Sequence, residues 1–351
     1  MSDDRLAAWS RTNRLIIAAA ERLGVEWAAL GSEHSDFFLR LRAEGRAVVI
    51  SKTRSPFLTE VAQTLANNKF LAREQLARRA LPCIAGLLLD EARGPEHARA
   101  ALEQWHELVA KPNWGNRGIG VITGIRDFAQ LQAAYEHARA LDRDEEVLIE
   151  PFVPGINLRV TVIGGRAVAT AEIRRPLLVG DGRRSIAELV AAINDDARRT
   201  NWRESAMLAL DEIEPEMVED RLAPEQLELD DVLAAGRVIE LSFDEVEVID
   251  RSDEVHPGWL AVAEQAALLL GVDVAGVDLR GPADELFGAP PERREHAGLL
   301  EVNALPALHL HALPTQGTPR PVFEAFVAYC LQLPGAPPIA AEVRIADAFD
   351  P

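Results

Sequence analysis

The chain has 351 residues, of which 48% are hydrophobic and 26% charged, and this composition is typical of a folded globular protein. Its formal charge of −19 argues against a nucleic-acid partner, because binding to a phosphate backbone needs a basic surface. Two cysteines, Cys83 and Cys330, are too few for a disulfide framework, and no apolar stretch approaches the roughly 20 residues of a membrane span. No basic segment followed by an apolar run opens the chain, so no signal peptide is predicted. These features predict a soluble cytoplasmic protein without a membrane partner.

The first part of the chain predicts a small α/β domain at residues 1–66. Apolar residues recur at helical spacing over 5–23, and Gly24 supplies a stop. The stretch "DFFLRLRAEGRAVVIS" predicts two short strands around a turn at Glu44-Gly45. Residues 58–80 predict a further helix.

After residue 107, helical and strand patterns alternate. The expected strands are "ELVAKP", "GVITGI", "EEVLIEPFV", the hairpin "NLRVTVIGGRAVATAEIRR", "VAGVDLRG" and "GLLEVNAL"; the expected helices are 126–141, 185–199 and 257–270, the second opened by a capping box of Ser185 and Glu188. The acidic, proline-containing stretch 211–232 is expected to be an excursion or a flexible link, and 281–297 a polar turn. This mixture of helices and mostly antiparallel strands predicts an α+β fold with several lobes.

Lysine is rare in this chain. Lysine and arginine together number 37, yet only Lys52, Lys69 and Lys111 are lysines. A chain that uses arginine for nearly every cation is expected to keep lysine where a compact ammonium is needed, although chance retention explains Lys52 equally well.

Lys111 precedes a segment rich in glycine. Gly115, Gly118 and Gly120 lie between two predicted strands, so the segment matches neither the dinucleotide-binding fingerprint nor the P-loop. Glycines let a backbone approach phosphate closely, and a lysine on the incoming strand suits that ligand. A plain hairpin explains the glycines equally well.

Two predicted strands carry a set of oxygen ligands. Glu301 and Asn303 are two residues apart on one strand and therefore share a face, and Asp278 lies on another strand that could adjoin it. Their apolar flanks predict partial burial, which is costly for an acid unless it is paired or bound to metal. Carboxylate and amide oxygens without histidine or cysteine favour magnesium held between protein and substrate phosphates.

His309 and His311, in "ALHLHAL", are expected on one face of a strand. One interpretation is that they bind zinc as a pair or that one acts as an acid–base group, and the favoured interpretation is that they are packed histidines.

Six segments in order resemble one family: "VAKPNWGNRGIGV", "VLIEPFVPGINLRVTVIGGRAVA", "VGDGRRSIAELVAAINDDARR", "RSDEVHPGWL", "GVDVAGVDL" and "LLEVNALPALHLHALPTQGTPRPV". They resemble the ATP-grasp ligase superfamily, in particular the ATP-grasp module of cyanophycin synthetases and of fused glutathione synthetases. The resemblance implies an ATP-grasp fold, in which two α/β lobes grip ATP. The small lobe with a glycine-rich flap is expected at 67–150, the C-terminal lobe with the metal site at 151–333, and a tail at 334–351.

The resemblance also implies roles for individual residues. Lys69 and Lys111 match the lysines that hold the α- and β-phosphates, and residues 113–120 match the flap. The segment of Glu150, Pro151, Phe152 and Val153 matches the hinge whose backbone reads adenine. Asn157 falls where the family usually binds the ribose hydroxyls with Asp or Glu. Asp278, Glu301 and Asn303 match the magnesium ligands. The arginines that match or neighbour positions gripping phosphate or a substrate carboxylate are Arg159, Arg174, Arg175 and Arg320.

The chain departs from the family in one loop. "SFDEVEVID" stands where the family has an arginine and paired glycines around the acyl phosphate. If Asp244, Glu245 and Glu247 line the acceptor side, they favour a cationic amine; the alternative is a solvated strand edge.

The resemblance therefore implies an ATP-dependent carboxylate–amine ligase that joins amino acids or short peptides through an acylphosphate. The implied cofactors are ATP and Mg²⁺, with Mn²⁺ as a substitute. A homodimer or a partner enzyme of a biosynthetic cluster is the expected assembly. The alternatives are an ATP-grasp phosphotransferase and an ATP-binding regulatory or partner-dependent subunit.

Overall fold

A computed structural model describes residues 9–30, 37–115, 118–200, 207, 210–241 and 245–339. Its N-terminal part contains one helix and a three-stranded antiparallel sheet: α1 (Arg11–Arg22), β1 (Glu26–Leu30), β2 (Phe38–Ala43) and β3 (Arg46–Ile50). The expected turn is present, and its two residues, Glu44 and Gly45, have φ of 50° and 77°, which suits the tight turn of a hairpin.

Two helices follow where the sequence predicts one. α2 (Glu60–Asn67) ends at Asn68, whose side chain caps the next helix, α3 (Lys69–Arg78), by accepting from the amide of Leu71. An asparagine at this position favours a helix start over a helix interior, because its side chain satisfies a free N–H of the first turn. Lys69 is therefore the first residue of a helix.

A four-stranded antiparallel sheet forms the next layer, with strand order β4-β7-β5-β6. Its elements are β4 (Leu87–Leu89), α4 (Arg99–Trp105), β5 (Leu108–Pro112), β6 (Ile122–Ile125), α5 (Phe128–Leu141) and β7 (Val147–Pro151). One face of the sheet packs against α5 through buried residues such as Leu131, Tyr135 and Ile149. The glycine-rich segment joins β5 to β6, as expected.

The largest sheet has five antiparallel strands in the order β14-β9-β8-β15-β16. These are β8 (Ile156–Ile163), β9 (Arg166–Arg174), β14 (Glu247–Asp250), β15 (Val274–Gly281) and β16 (Gly298–Asn303). α8 (Pro257–Leu270), together with α2 and α3, packs on this sheet around the fully buried Trp259. Helices packed on mostly antiparallel sheets confirm the predicted α+β class.

The described residues within 177–240 form a folded unit between β9 and β14. Its elements are β10 (Leu177–Val179), α6 (Ile186–Asn194), β11 (Arg199–Thr200), β12 (Leu210–Asp211), α7 (Pro215–Leu222) and β13 (Val238–Glu240). The expectation of a flexible link at 211–232 is wrong, because Ile213, Val218 and Leu222 are fully buried in a core shared with α6. The capping box of Ser185 and Glu188 is present, although α6 ends at Asn194.

Three short helices complete the fold. They are α9 (Ala283–Gly288), within the predicted polar turn, α10 (His309–Ala312) and α11 (Val322–Leu331). In the described part of the chain, no helix is both long and apolar enough to cross a bilayer.

Candidate active site

A cleft between the four-stranded and five-stranded sheets brings together most of the predicted site residues. Those that line it are Lys69, Lys111, Gly115, Gly118, Glu150, Pro151, Phe152, Val153, Asn157, Arg159, Arg175, Asp278 and Glu301. Gly120, Arg174, Arg320 and Asn303 are not among its lining residues. Asn303 nevertheless lies directly behind the cleft wall, hydrogen-bonded to two of the lining acids.

Lys111 is held by a buried carboxylate. Its Nζ lies 2.9 Å from Oε1 of Glu150, which also accepts a hydrogen bond from Arg73. Burial favours the neutral carboxyl, but the charges of Arg73 and Lys111 outweigh it and lower the pKa of Glu150. The Glu150 side chain therefore orients Lys111, a role beyond the backbone contact that the resemblance implies.

Arg73 was not found from the sequence, although its position offers a signal. It follows Lys69 by four residues on α3, so both lie on one helix face. Its guanidinium also donates to the carbonyl of Leu300 at 2.7 Å, immediately before Glu301. Arg73 thus connects the strand that carries Glu150 with the strand that carries Glu301.

Lys69 faces the start of the glycine-rich segment. Its Nζ donates to the carbonyl of Gly115 at 2.8 Å, and the amide of Phe70 donates to Oδ1 of Asn113 at 2.8 Å. Burial lowers the pKa of the Lys69 ammonium, while the nearby Glu301 opposes that effect. Both lysines therefore line the cleft together with residues of the glycine-rich segment.

The predicted metal ligands meet on two adjacent strands. Asp278 pairs with Glu301 across β15 and β16, and Nδ2 of Asn303 lies 3.1 Å from Oδ2 of Asp278 and 3.2 Å from Oε1 of Glu301. Arg159, opposite Asp278 on β8, binds both oxygens of that carboxylate. Burial raises the pKa of Asp278. Burial would also raise the pKa of Glu301, but the positive charges of Lys111, Lys69 and Arg159 outweigh it, so that the pKa of Glu301 is lowered.

These donors fit magnesium. Among the residues that the structure describes, no group of three or more His, Cys, Asp or Glu is placed to hold a metal ion, and a cation here would be bound by the carboxylates of Asp278 and Glu301. The Asn303 amide presents its NH₂ group to both acids, so its oxygen would reach a cation only after the amide turns over. Magnesium is usually bound by one or two carboxylates together with water and substrate phosphates. Because Arg159 engages both oxygens of Asp278, a cation bound to Asp278 would have to displace part of that contact.

The opposite end of the cleft carries a second arginine that the sequence analysis missed. Arg280 donates from Nη1 to Oδ1 of Asn157 at 2.8 Å and from Nε to the carbonyl of Val153. Its guanidinium lies 5.0 Å from the centre of the Phe152 ring. It follows Asp278 by two residues on β15, so strand alternation places both on the cleft face. The Phe152 amide donates to the carbonyl of Glu107, so two backbone groups of the predicted hinge already have protein partners.

The remaining predicted arginines are paired with acids. Arg175 lines the cleft and lies 3.2 Å from Oε1 of Glu245. Arg174 binds Glu172 and Glu247. Arg320 binds Asp250 and Asp253. These pairs leave Glu245 and Glu247 neutralised by arginine, which weakens the expectation that they attract a cationic acceptor, and Asp244 lies outside the described residues.

The two histidines do not lie on a strand, so that expectation is wrong. They belong to the short helix α10, and they bind different partners: Nε2 of His311 lies 2.8 Å from Oγ1 of Thr161, and Nε2 of His309 lies 3.0 Å from Nη2 of Arg11. Burial lowers the pKa of both, that of His311 to about 3, and neighbouring arginines add to the effect. The favoured reading as packed, neutral histidines agrees with these contacts.

Comparison with known proteins identifies the fold. The chain has the ATP-grasp fold: a crystal structure of a bifunctional glutathione synthetase from Pasteurella multocida superimposes with a TM-score of 0.59 at 22% identity, covering 93% of this chain and 45% of that one. No family model matches the sequence.

The sequence relatives are proteins of the two kinds that the motifs resemble. Cyanophycin synthetase from Trichormus variabilis is 28% identical over 333 residues, which are 91% of this chain and 34% of that protein. The glutathione biosynthesis bifunctional protein GshAB from Enterococcus faecalis is 32% identical over 222 residues, which are 61% of this chain and 28% of that protein. The chain thus spans about a third of the length of the cyanophycin synthetases it matches.

Proposed function

We propose that this protein is an ATP- and magnesium-dependent carboxylate–amine ligase. The observation that carries the proposal is the placement of Lys69 and Lys111 in one cleft with Asp278 and Glu301, backed by Asn303. Cations for phosphate and hard oxygen ligands for magnesium are the groups that phosphoryl transfer needs. The similarity to cyanophycin synthetases and bifunctional glutathione synthetases supports the choice of amide formation as the second step.

In this reaction a substrate carboxylate oxygen attacks the γ-phosphorus of ATP, and the bond to the ADP oxygen breaks. The nitrogen of an amine then attacks the acyl carbon, phosphate leaves, and the nitrogen loses a proton. Lys69 and Lys111 neutralise phosphate charge, and the Lys111–Glu150 contact keeps that ammonium in place. Bound magnesium would supply further neutralisation of the phosphate oxygens. Protein groups act here by positioning and charge, without a covalent intermediate on the enzyme.

The other parts of the cleft take supporting roles. Arg159 and Arg175 are the arginines that we propose contact a phosphate or the substrate carboxylate, because both line the cleft. The role that we propose for the segment 113–120, of which residues 116 and 117 lie outside the described part of the chain, is to cover the phosphates and exclude water, which would otherwise hydrolyse the acylphosphate. Arg174 and Arg320 are held by acids outside the cleft lining and are better suited to supporting the strands β9 and β14.

The substrates that we propose are amino acids or short peptides, by analogy with the names of the relatives. We place the protein in the cytoplasm, since Cys83 and Cys330 are both free thiols. A homodimer or a complex with a partner enzyme remains our proposal for its assembly.

The test is a screen for ADP release over pairs of amino acids or dipeptides and amines, followed by mass spectrometry of the product. A ligase sustains ADP release over many turnovers only when carboxylate and amine are both present, and the product mass is the sum of the two minus water. ADP release that needs no amine would indicate a phosphotransferase. ATP binding without turnover over the whole panel would indicate a regulatory subunit.

A further inference from the structure

The end of the cleft next to Phe152 and Val153 contains more donors than acceptors. Arg280 offers only N–H donors, so the oxygen of the Asn157 carboxamide must face it. With that oxygen engaged, the free part of the Asn157 amide is its NH₂ group. The Asn157 oxygen keeps one further lone pair, so a ribose with two hydroxyl donors needs a second acceptor from another residue.

Glu240 supplies a carboxylate at this end. It is the last residue of β13, and it faces the cleft opposite Leu177 of β10. Leu177 follows the cleft residue Arg175 by two positions. After burial, the charge of Glu240 is the largest influence on the pKa of Arg280, which indicates that the two side chains are close. Glu240 thus lines the same cleft as Arg280 and Asn157, with its charge acting on the guanidinium of Arg280.

The other acids of the cleft are already engaged. Glu150 binds Lys111 and Arg73, Asp278 binds Arg159, and Glu301 accepts from Asn303. Among the described cleft residues, Glu240 is the acid whose side chain has neither a hydrogen bond nor an ion pair. Its backbone is fixed, because Arg221 of α7 donates to its carbonyl at 3.2 Å.

We propose that Glu240, rather than Asn157, accepts the hydrogen bonds of the nucleotide's ribose hydroxyls and makes the cleft selective for ribonucleotides. The inference rests on the proposed function in that it assumes a nucleotide in this cleft. A carboxylate is the stronger acceptor for a hydroxyl, since hydrogen bonds to a charged group are stronger than neutral ones. Because Glu240 belongs to the folded unit 177–240, this unit would then form one wall of the nucleotide site.

A binding cycle with two nucleotides tests the proposal. The dissociation constants of ATP and of 2′,3′-dideoxy-ATP, both with magnesium, are measured by calorimetry for the wild type, Glu240→Ala and Glu240→Gln. We expect Glu240→Ala to weaken ATP binding about 10-fold or more, and dideoxy-ATP binding less than about 2-fold, because only ATP loses a charged hydrogen bond. Glu240→Gln, which keeps a weaker acceptor, should fall in between.

Two further variants serve as controls. Glu219→Ala removes an exposed acid of α7 that does not line the cleft, and it should leave both constants unchanged. Asn157→Ala tests the rival acceptor and should affect the two nucleotides equally. Thermal unfolding of each variant checks the fold.

Several results would overturn the proposal. Equal weakening of both nucleotides by Glu240→Ala, no weakening at all, or a ribose-dependent loss in Asn157→Ala would each show that Glu240 is not the acceptor. If ATP binds and ligation proceeds, but Glu240→Ala weakens ATP no more than dideoxy-ATP, only the inference fails. If the wild type binds neither nucleotide, the proposed function fails and the inference fails with it.

Discussion

Lys111 and Glu150 form an ion pair in which Nζ lies 2.9 Å from Oε1 and neither side chain is more than 5% exposed. Arg73 binds the same carboxylate, so two cations share one anion. One positive charge is left in excess at the wall of the cleft, where a phosphate would lie. The arrangement positions Lys111 without cancelling its charge.

We expect Arg73→Met to lower the free energy of unfolding by about 3–5 kcal/mol, because it removes one partner of a buried charge. Combining it with Glu150→Gln should recover part of the loss, since the unpaired charge is then gone. Urea unfolding measures both. Arg78→Met on the same helix is the control, because Arg78 and its partner Glu74 are exposed and such pairs contribute about 1 kcal/mol or less. Equal effects of the two arginine variants would contradict the buried-charge argument.

Lys111→Ala and Glu301→Ala should each reduce ATP turnover by about 100-fold or more, since each removes a charge contact that acts in the transition state. The rates come from a coupled ADP assay at saturating ATP, and circular dichroism verifies the fold. Lys52→Ala is the matched control, because Lys52 is exposed and does not line the cleft. Near-wild-type turnover in both test variants would remove these residues from the proposed mechanism.

Activity should require magnesium or manganese, and zinc should not replace them. Asp278, Glu301 and Asn303 offer only oxygen atoms, whereas zinc prefers nitrogen and sulfur ligands. The experiment strips the protein with EDTA, adds back each metal in turn and measures ADP release. Full activity in excess EDTA, or recovery with zinc alone, would rule out an oxygen-ligated magnesium site.

His311 should make the protein less stable as the pH falls below about 6.5. Its pKa is about 3 in the folded chain against 6.5 for a free histidine, so the unfolded chain binds more protons between these values and is favoured there. At pH 5 this penalty is about 2 kcal/mol for one histidine.

The variant His311→Gln lacks that proton uptake. Its stability deficit relative to the wild type, measured by urea unfolding, should therefore shrink by about 2 kcal/mol between pH 7 and pH 5. A deficit that is the same at both pH values would show that His311 is not the group responsible.

Strand alternation was sufficient to predict that Glu301 and Asn303 share a face, because the alternation depends only on how far apart two residues are along a strand. Arg73 and Arg280 were missed because their roles depend on partners far along the chain, Glu150 and Asn157. In "ALHLHAL", two histidines with one residue between them fit a short helix as well as a strand, and the period alone does not decide. At 211–232, the acidic composition suggested an exposed segment, although Val218 and Leu222 are fully buried. Their burial depends on packing against other parts of the chain, which the local sequence does not show.

The pairing of β8 with β15 places Arg159 opposite Asp278 and Asn157 opposite Arg280. Leu158, between Asn157 and Arg159, and Val160, which follows them, are fully buried on the other face. Inserting or deleting a single residue in β8 would exchange the two faces, bringing leucine and valine to the cleft and arginine into the core. We therefore expect these strands to tolerate substitution better than a change in length, and insertions that reshape the cleft to be tolerated mainly in the loops between strands.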